Sequence, residues 1–136
     1  MTAPGDVLLV EDADVHVEFT RMAFDDDDLL AVARDGEEAV ALIDSRADRP
    51  PRLILLDLKL PGMSGFDVLQ AIRGHASEHV RRTPVVILTT SRAPADVRRA
   101  YDLGANAFLR KPLELPEYID LIGAVRHWWL ERVELP

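Results

Sequence analysis

Glu11-Asp12, Asp57, Thr89 and Lys111 each stand at the end of a short apolar run. An acid placed directly behind Leu53-Ile54-Leu55-Leu56, as Asp57 is, needs a partner to stay charged. Three acids gathered at one place repel strongly at short range, and a divalent cation relieves that repulsion. Hard carboxylate oxygens, with positions left for water and phosphate, suit Mg²⁺ better than a transition metal. With the cation seated, an aspartate can act as a nucleophile toward phosphorus and become an aspartyl phosphate. Lys111 would set a positive charge against one phosphoryl oxygen, and the Thr89 hydroxyl would donate to another. Taken singly, these residues have plainer uses. Glu11 and Asp12 could cap a helix, Thr89 could bond to backbone, and Lys111 could be a surface lysine. Their joint placement decides for chemistry.

That placement depends on the elements between them. Val7-Leu8-Leu9-Val10 lacks polar alternation and predicts a strand buried on both faces. A helix is expected from about Asp14 to Phe24, with Val15, Phe19 and Met22 on one side. The acidic run Asp25 to Asp28 ends it as a solvated turn, with a second cation site there left open. Leu29 to Ala33 predicts a second strand, and Gly36 to about Arg46 a helix carrying Ala39, Val40 and Ile43. Leu53 to Leu56 is the third strand. The loop Pro61 to Gly65 leads into a helix bearing Phe66, Leu69 and Ile72. Gly62 and Gly65 suit turn geometry, and Ser64 to Asp67 has the spacing of a capping box.

The polar stretch Gly74 to Thr83 exceeds the usual connection and predicts an extended helix or an ordered loop. Pro84 to Leu88 is the fourth strand, Pro94 opens a helix and Gly104 ends it. Ala107 to Leu109 is the fifth strand, and Leu115 to about Arg132 a long final helix. Five β–α units in one small chain predict an α/β fold, a doubly wound parallel sheet with helices on both faces. A flavodoxin-like strand order 2-1-3-4-5 would open a crevice between the first and third strands, at their carboxyl ends.

Composition narrows the function classes. The chain has 136 residues, room for one domain and no second output domain. It has no cysteine, which excludes disulfides and thiolate metal sites. A net charge of -8 argues against nucleic acid or an anionic membrane as the main partner. No apolar run approaches the ~20 residues of a membrane span, and the N-terminus lacks the features of a signal peptide, so a cytoplasmic protein is expected. His16, His75, His79 and His127 form no ligand constellation and read as solvated or packing residues.

Leu9-Val10-Glu11-Asp12, Leu55 through Gly65, Val85 through Ser91 and Lys111-Pro112 resemble, in order and spacing, the motifs of response-regulator receiver domains. The resemblance covers about Asp6 to Arg126, leaving 127–136 as a C-terminal extension of a single domain over 1–136. It implies that Asp57 is the phosphoacceptor and that Glu11, Asp12, Asp57 and the Lys59 carbonyl hold Mg²⁺. It also implies that Lys111 binds the phosphoryl group, that Thr89 moves to contact it, and that Phe108 is the aromatic switch. Glu-Asp stands where the family often has Asp-Asp, and Phe108 lacks the hydroxyl of the tyrosine frequent at its position. For Lys111-Pro112 the resemblance suggests a cis bond, whereas most X–Pro bonds are trans.

A closer similarity is to stand-alone regulators paired with bacterial phytochrome histidine kinases. It rests on Thr89-Thr90-Ser91, the stretch Ala100 through Asn106, the polar insert, and Trp128-Trp129-Leu130 before a Leu135-Pro136 terminus. It implies phosphoryl transfer from a sensor histidine kinase, self-dephosphorylation, and output through protein contacts. Along the final helix Leu115, Tyr118, Ile119, Ile122, Val125 and Trp129 form the stripe expected to face the sheet. Trp128 and Leu130 fall off it, which favours a homodimer through the last two β–α units and the tail over a tail folded onto its own domain. Two rival functions remain. An aspartate-nucleophile phosphatase would want an acid two residues after Asp57, where Lys59 stands. A scaffold that is never phosphorylated would have no use for the five site residues.

Overall fold

The computed structural model describes residues 3–25 and 27–136; of the acidic run, Asp26 lies outside the described residues. Five parallel strands form one sheet in the order β2-β1-β3-β4-β5. They are β1 (Val7–Val10), β2 (Leu30–Ala33), β3 (Leu53–Leu56), β4 (Val85–Thr89) and β5 (Ala107–Arg110). The helices are α1 (Asp14–Ala23), α2 (Gly36–Ser45), α3 (Gly65–Arg73), α4 (Glu78–Arg81), α5 (Pro94–Asp102) and α6 (Leu115–Arg126). The sheet is flavodoxin-like and doubly wound, as its pattern of apolar runs predicts.

Side-chain alternation along unbroken apolar strands feeds two cores. Leu8, Val10, Ile54, Leu56, Val85 and Ile87 face one side, against Ala39 and Ile43 of α2, Val68, Leu69 and Ile72 of α3, and Ala100 of α5. Val7, Leu9, Leu53, Leu55, Val86 and Leu88 face the other, against Val17 of α1 and Tyr118, Ile122 and Val125 of α6. At about 25 cal/mol per Å² of apolar surface, these two layers are the main stabilising term.

The face that α1 buries differs from the one expected. Val15 and Met22 are 52% and 57% exposed, while Val17 and Thr20 are buried and Phe24 follows them inward. The helix packs on the sheet beside α6, so its inner stripe lies along 17, 20 and 24 and only Phe19 of the expected set packs, at the edge facing α6. The insert before β4 is ordered and contains α4. Gly104 follows α5 at φ +100°, a left-handed position that suits glycine at a helix end.

Arg73 ties these pieces together from the last turn of α3. Its guanidinium donates to the carbonyls of Gly104 (2.8 Å), Arg81 (2.9 Å) and Thr83 (2.7 Å), and to Asn106 Oδ1 (2.7 Å). Asn106 Oδ1 also accepts from the Val85 N–H at 2.8 Å, so the network starts β4 in register. Arg73→Ala would leave carbonyls half-sheltered and unpaired, and a loss of about 2 kcal/mol is expected. Denaturant titration should show a lower midpoint with an unchanged slope.

The end of the chain departs from one continuous helix. After Arg126 the backbone widens into a π-helical turn, His127–Arg132. The extra residue in that turn advances the register, so Leu130 rotates inward and is 7% exposed, whereas Trp128 remains 59% exposed. Arg52 donates to the Leu130 carbonyl at 3.2 Å. Leu130 therefore belongs to its own domain's core, and the expected exposed pair reduces to Trp128. No peptide bond among the described residues is cis, so Lys111-Pro112 is trans.

Candidate functional site

The site residues occupy the steps just beyond, or at the end of, the strands, where the backbone ladder still holds them. The Glu11 N–H donates to the Ala33 carbonyl (2.9 Å), Asp57 N–H to Val10 (3.1 Å) and Lys111 N–H to Thr89 (2.8 Å). The strands thus set the spacing of the chemistry, and the acids flank the point where β1 has β2 on one side and β3 on the other.

Glu11, Asp12 and Asp57 each present a carboxylate oxygen, and these atoms lie within 4.8 Å of one another. Glu11 and Asp57 are buried at 1% and 6% exposure, while Asp12 is exposed. Lys111 comes in from β5 with its side chain almost fully enclosed. Its ammonium donates to Asp57 Oδ2 at 2.7 Å and makes a close contact with Glu11 Oε1. The Ala13 N–H donates to Glu11 Oε2 (3.2 Å), and the Lys59 N–H to Asp57 Oδ1 (3.2 Å). Burial pushes the Glu11 carboxyl up to about 7, against the opposing pull of Lys111 and with a further push from Asp57. Three carboxylates against one ammonium leave an excess of negative charge in a mostly buried place. An all-oxygen donor set of this kind fits a hard divalent cation.

Thr89 is fully buried at the end of β4, and its hydroxyl accepts from the Ser91 N–H at 3.4 Å. It stands one strand from Asp57, and no hydrogen bond joins its hydroxyl to the acids among the described residues. Phe108 is half-buried on β5, and its N–H donates to the Tyr101 hydroxyl of α5 at 3.1 Å. Lys59 meets Asp57 through its N–H, and its side chain is exposed. Gly62 adopts φ +69° and serves the turn as expected. Gly65 instead allows a close approach: a Cβ there would lie 2.7 Å from the Leu58 Cα and closer still to the Asp57 carbonyl. The capping box forms, with Ser64 and Asp67 each accepting from the other's N–H.

His16 is the residue that sequence reasoning missed. It lies in the first turn of α1, and its Nδ1 is 3.1 Å from Lys111 Nζ and 3.6 Å from Glu11 Oε1. Burial, and then the nearby Lys111 charge, lower its pKa. The first turn of a helix that follows a strand must lie over the strand's carboxyl end. Position 16, five residues after Glu11, carried that information, although a search for metal-ligand spacing does not use it.

Known proteins share this fold. Residues 7–123 match the response regulator receiver domain family. The response regulator Rcp1 of Synechocystis is 34% identical, covering 98% of this chain and 94% of its own length. The crystal structure of its Mn²⁺-bound form superposes with a TM-score of 0.84, covering 96% of this chain and 97% of that one. The phosphorylated cyanobacterial phytochrome response regulator RcpA is 31% identical, with a TM-score of 0.87 and 96% of each chain covered. The bacteriophytochrome response regulator AtBRR is 41% identical, with a TM-score of 0.67 over 90% of this chain and 91% of that one. The sheet order, the acids at its switch point and these matches over nearly the whole chain agree: this protein belongs to the response regulator receiver domain family and is related to phytochrome-associated regulators.

Proposed function

We propose that this chain is a single-domain response regulator that accepts a phosphoryl group on Asp57 from a sensor histidine kinase. The observation that carries the reading is the convergence of Glu11, Asp12 and Asp57 within 4.8 Å, with the Lys111 ammonium 2.7 Å from Asp57 Oδ2. Asp57 Oδ attacks phosphorus, the bond from phosphorus to the kinase's imidazole nitrogen breaks, and the imidazole leaves as the P–O bond forms. Glu11, Asp12, Asp57 and the Lys59 carbonyl would hold Mg²⁺, which when bound neutralises the crowded oxygens. Lys111 holds one phosphoryl oxygen, and buried Thr89 supplies a hydroxyl hydrogen to another. Hydrolysis of the acyl phosphate later returns the carboxylate.

Drawing Thr89 inward vacates space beside Phe108, whose repacking changes the surface formed by α5 and β5. The signal then passes by protein contact, in the cytoplasm. Similarity to phytochrome regulators supports a phytochrome-type kinase as the donor. Incubation with a small acyl phosphate and Mg²⁺ tests the reading: acid-labile label is expected on the wild type and on none of the Asp57→Asn protein. Unimpaired labelling of Asp57→Asn would sink it. Steady turnover of a phosphomonoester would favour the phosphatase alternative, and absence of Mg²⁺-dependent label the scaffold.

A homodimer through β4–α5, β5–α6 and the tail belongs to the same reading. Trp128, 59% exposed, and Leu113, 84% exposed, are large apolar side chains left for a partner. Trp128→Ala is expected to shift a sedimenting dimer toward monomer with no loss of fold stability. An unchanged dimer would remove Trp128 from the interface.

A further inference from the structure

The Lys111 ammonium has three hydrogens and cannot accept a bond. Two are committed to carboxylates, Glu11 Oε1 and Asp57 Oδ2. The third meets His16 Nδ1 at 3.1 Å. Because lysine only donates, Nδ1 must accept, which places the imidazole hydrogen on Nε2.

The imidazole is held where it is. It stacks on Tyr118 of α6 with ring centroids 5.7 Å apart and planes 11° apart, and it meets the edge of Phe19 at 6.4 Å. Phe19 and Tyr118 brace one another at 5.4 Å. Tyr118 is fully buried, and its hydroxyl has no partner at hydrogen-bonding geometry; the neighbouring Thr20 hydroxyl already donates to the His16 carbonyl at 2.8 Å.

The three partners of Lys111 differ in what phosphorylation does to them. Asp57 becomes an acyl phosphate, and Glu11 is drawn toward a cation. His16 is changed by neither. We propose that His16 is a positioning residue for Lys111, whose Nδ1 keeps one ammonium hydrogen while the others pass from carboxylates to the phosphoryl group. The ammonium then pivots about a fixed point rather than searching for its new partner, which lowers the entropy lost in reaching the transition state. This rests on the reading of Asp57 as phosphoacceptor.

The test compares wild type, His16→Phe and His16→Asn, with a small acyl phosphate and Mg²⁺ as the reagents and denaturant midpoints measured alongside. Phenylalanine preserves the stack on Tyr118 and removes the acceptor, so labelling per folded molecule is expected to slow about tenfold while the ring packing holds. Asparagine gives up the ring but returns an oxygen near the Nδ1 position, so labelling per folded molecule is expected to recover to within about threefold of wild type. A purely structural role predicts the reverse order, because the asparagine variant is the one that loses packing. Wild-type labelling rates in His16→Phe, or His16→Asn as slow as His16→Phe, overturn this inference alone. Wild-type protein that takes no label overturns the Asp57 reading and this inference with it.

Discussion

Lys111→Met is expected to destabilise the cation-free protein by about 3 kcal/mol and to slow phosphorylation by about a hundredfold. Among the described residues Lys111 is the one ammonium that meets both buried acids, Glu11 and Asp57, and its side chain is 2% exposed. Methionine fills similar space but leaves two carboxylates in a low-dielectric pocket without a counter-charge. Breaking a buried pair by removing one partner typically costs about 3–5 kcal/mol. The lower end applies here, because Glu11, already pushed up to about 7 by burial, can take a proton and cap the loss. Mg²⁺ replaces the missing charge, so it should stabilise the variant more than the wild type. Denaturant midpoints with and without Mg²⁺ measure this. Equal Mg²⁺ effects on both proteins would show that Lys111 and the cation do not share the acids.

Gly65→Ala is the second large effect, and it acts through backbone. A Cβ at position 65 would lie 2.7 Å from the Leu58 Cα and nearer still to the Asp57 carbonyl, and neither neighbour is a flexible side-chain tip. The Gly65 N–H also donates to the Leu58 carbonyl at 3.0 Å, which holds the loop against the helix start. Relief requires α3 to move away or Asp57 to shift within its ladder. Strain of this kind in a packed region costs about 3 kcal/mol, and any shift of Asp57 should slow labelling as well. Thermal unfolding and labelling rate of the one variant together check it; an alanine that leaves both unchanged would show that the loop yields freely.

Much of this was legible because strand physics carried it. Strands buried on both faces have no polar alternation, so an acid, hydroxyl or lysine ending such a run is conspicuous, and parallel pairing brings all the carboxyl ends to one edge. What escaped depends on packing between elements. Val15 and Met22 fit a helical stripe, but α1 packs against both the sheet and α6, and its buried face rotates to Val17, Thr20 and Phe24. Leu130 fell on the wrong side because a π-helical turn adds a residue that an even helical period does not contain. Gly65 looked like a turn glycine, whereas its need is room for the Asp57 carbonyl, a demand set by a segment several residues away. His16 has no motif at all, and its contact with Lys111 bridges 95 positions of sequence.

The identity of the phosphorylated atom is the centre of the account, and reductive trapping reads it directly. Protein treated with a small acyl phosphate and Mg²⁺, then with borohydride, converts an aspartyl phosphate to homoserine at the residue that carried it. Peptide mapping should place homoserine at position 57 and at no other acid, with none formed when Mg²⁺ is chelated. Homoserine at position 12, or none anywhere in folded protein, would contradict the assignment of Asp57.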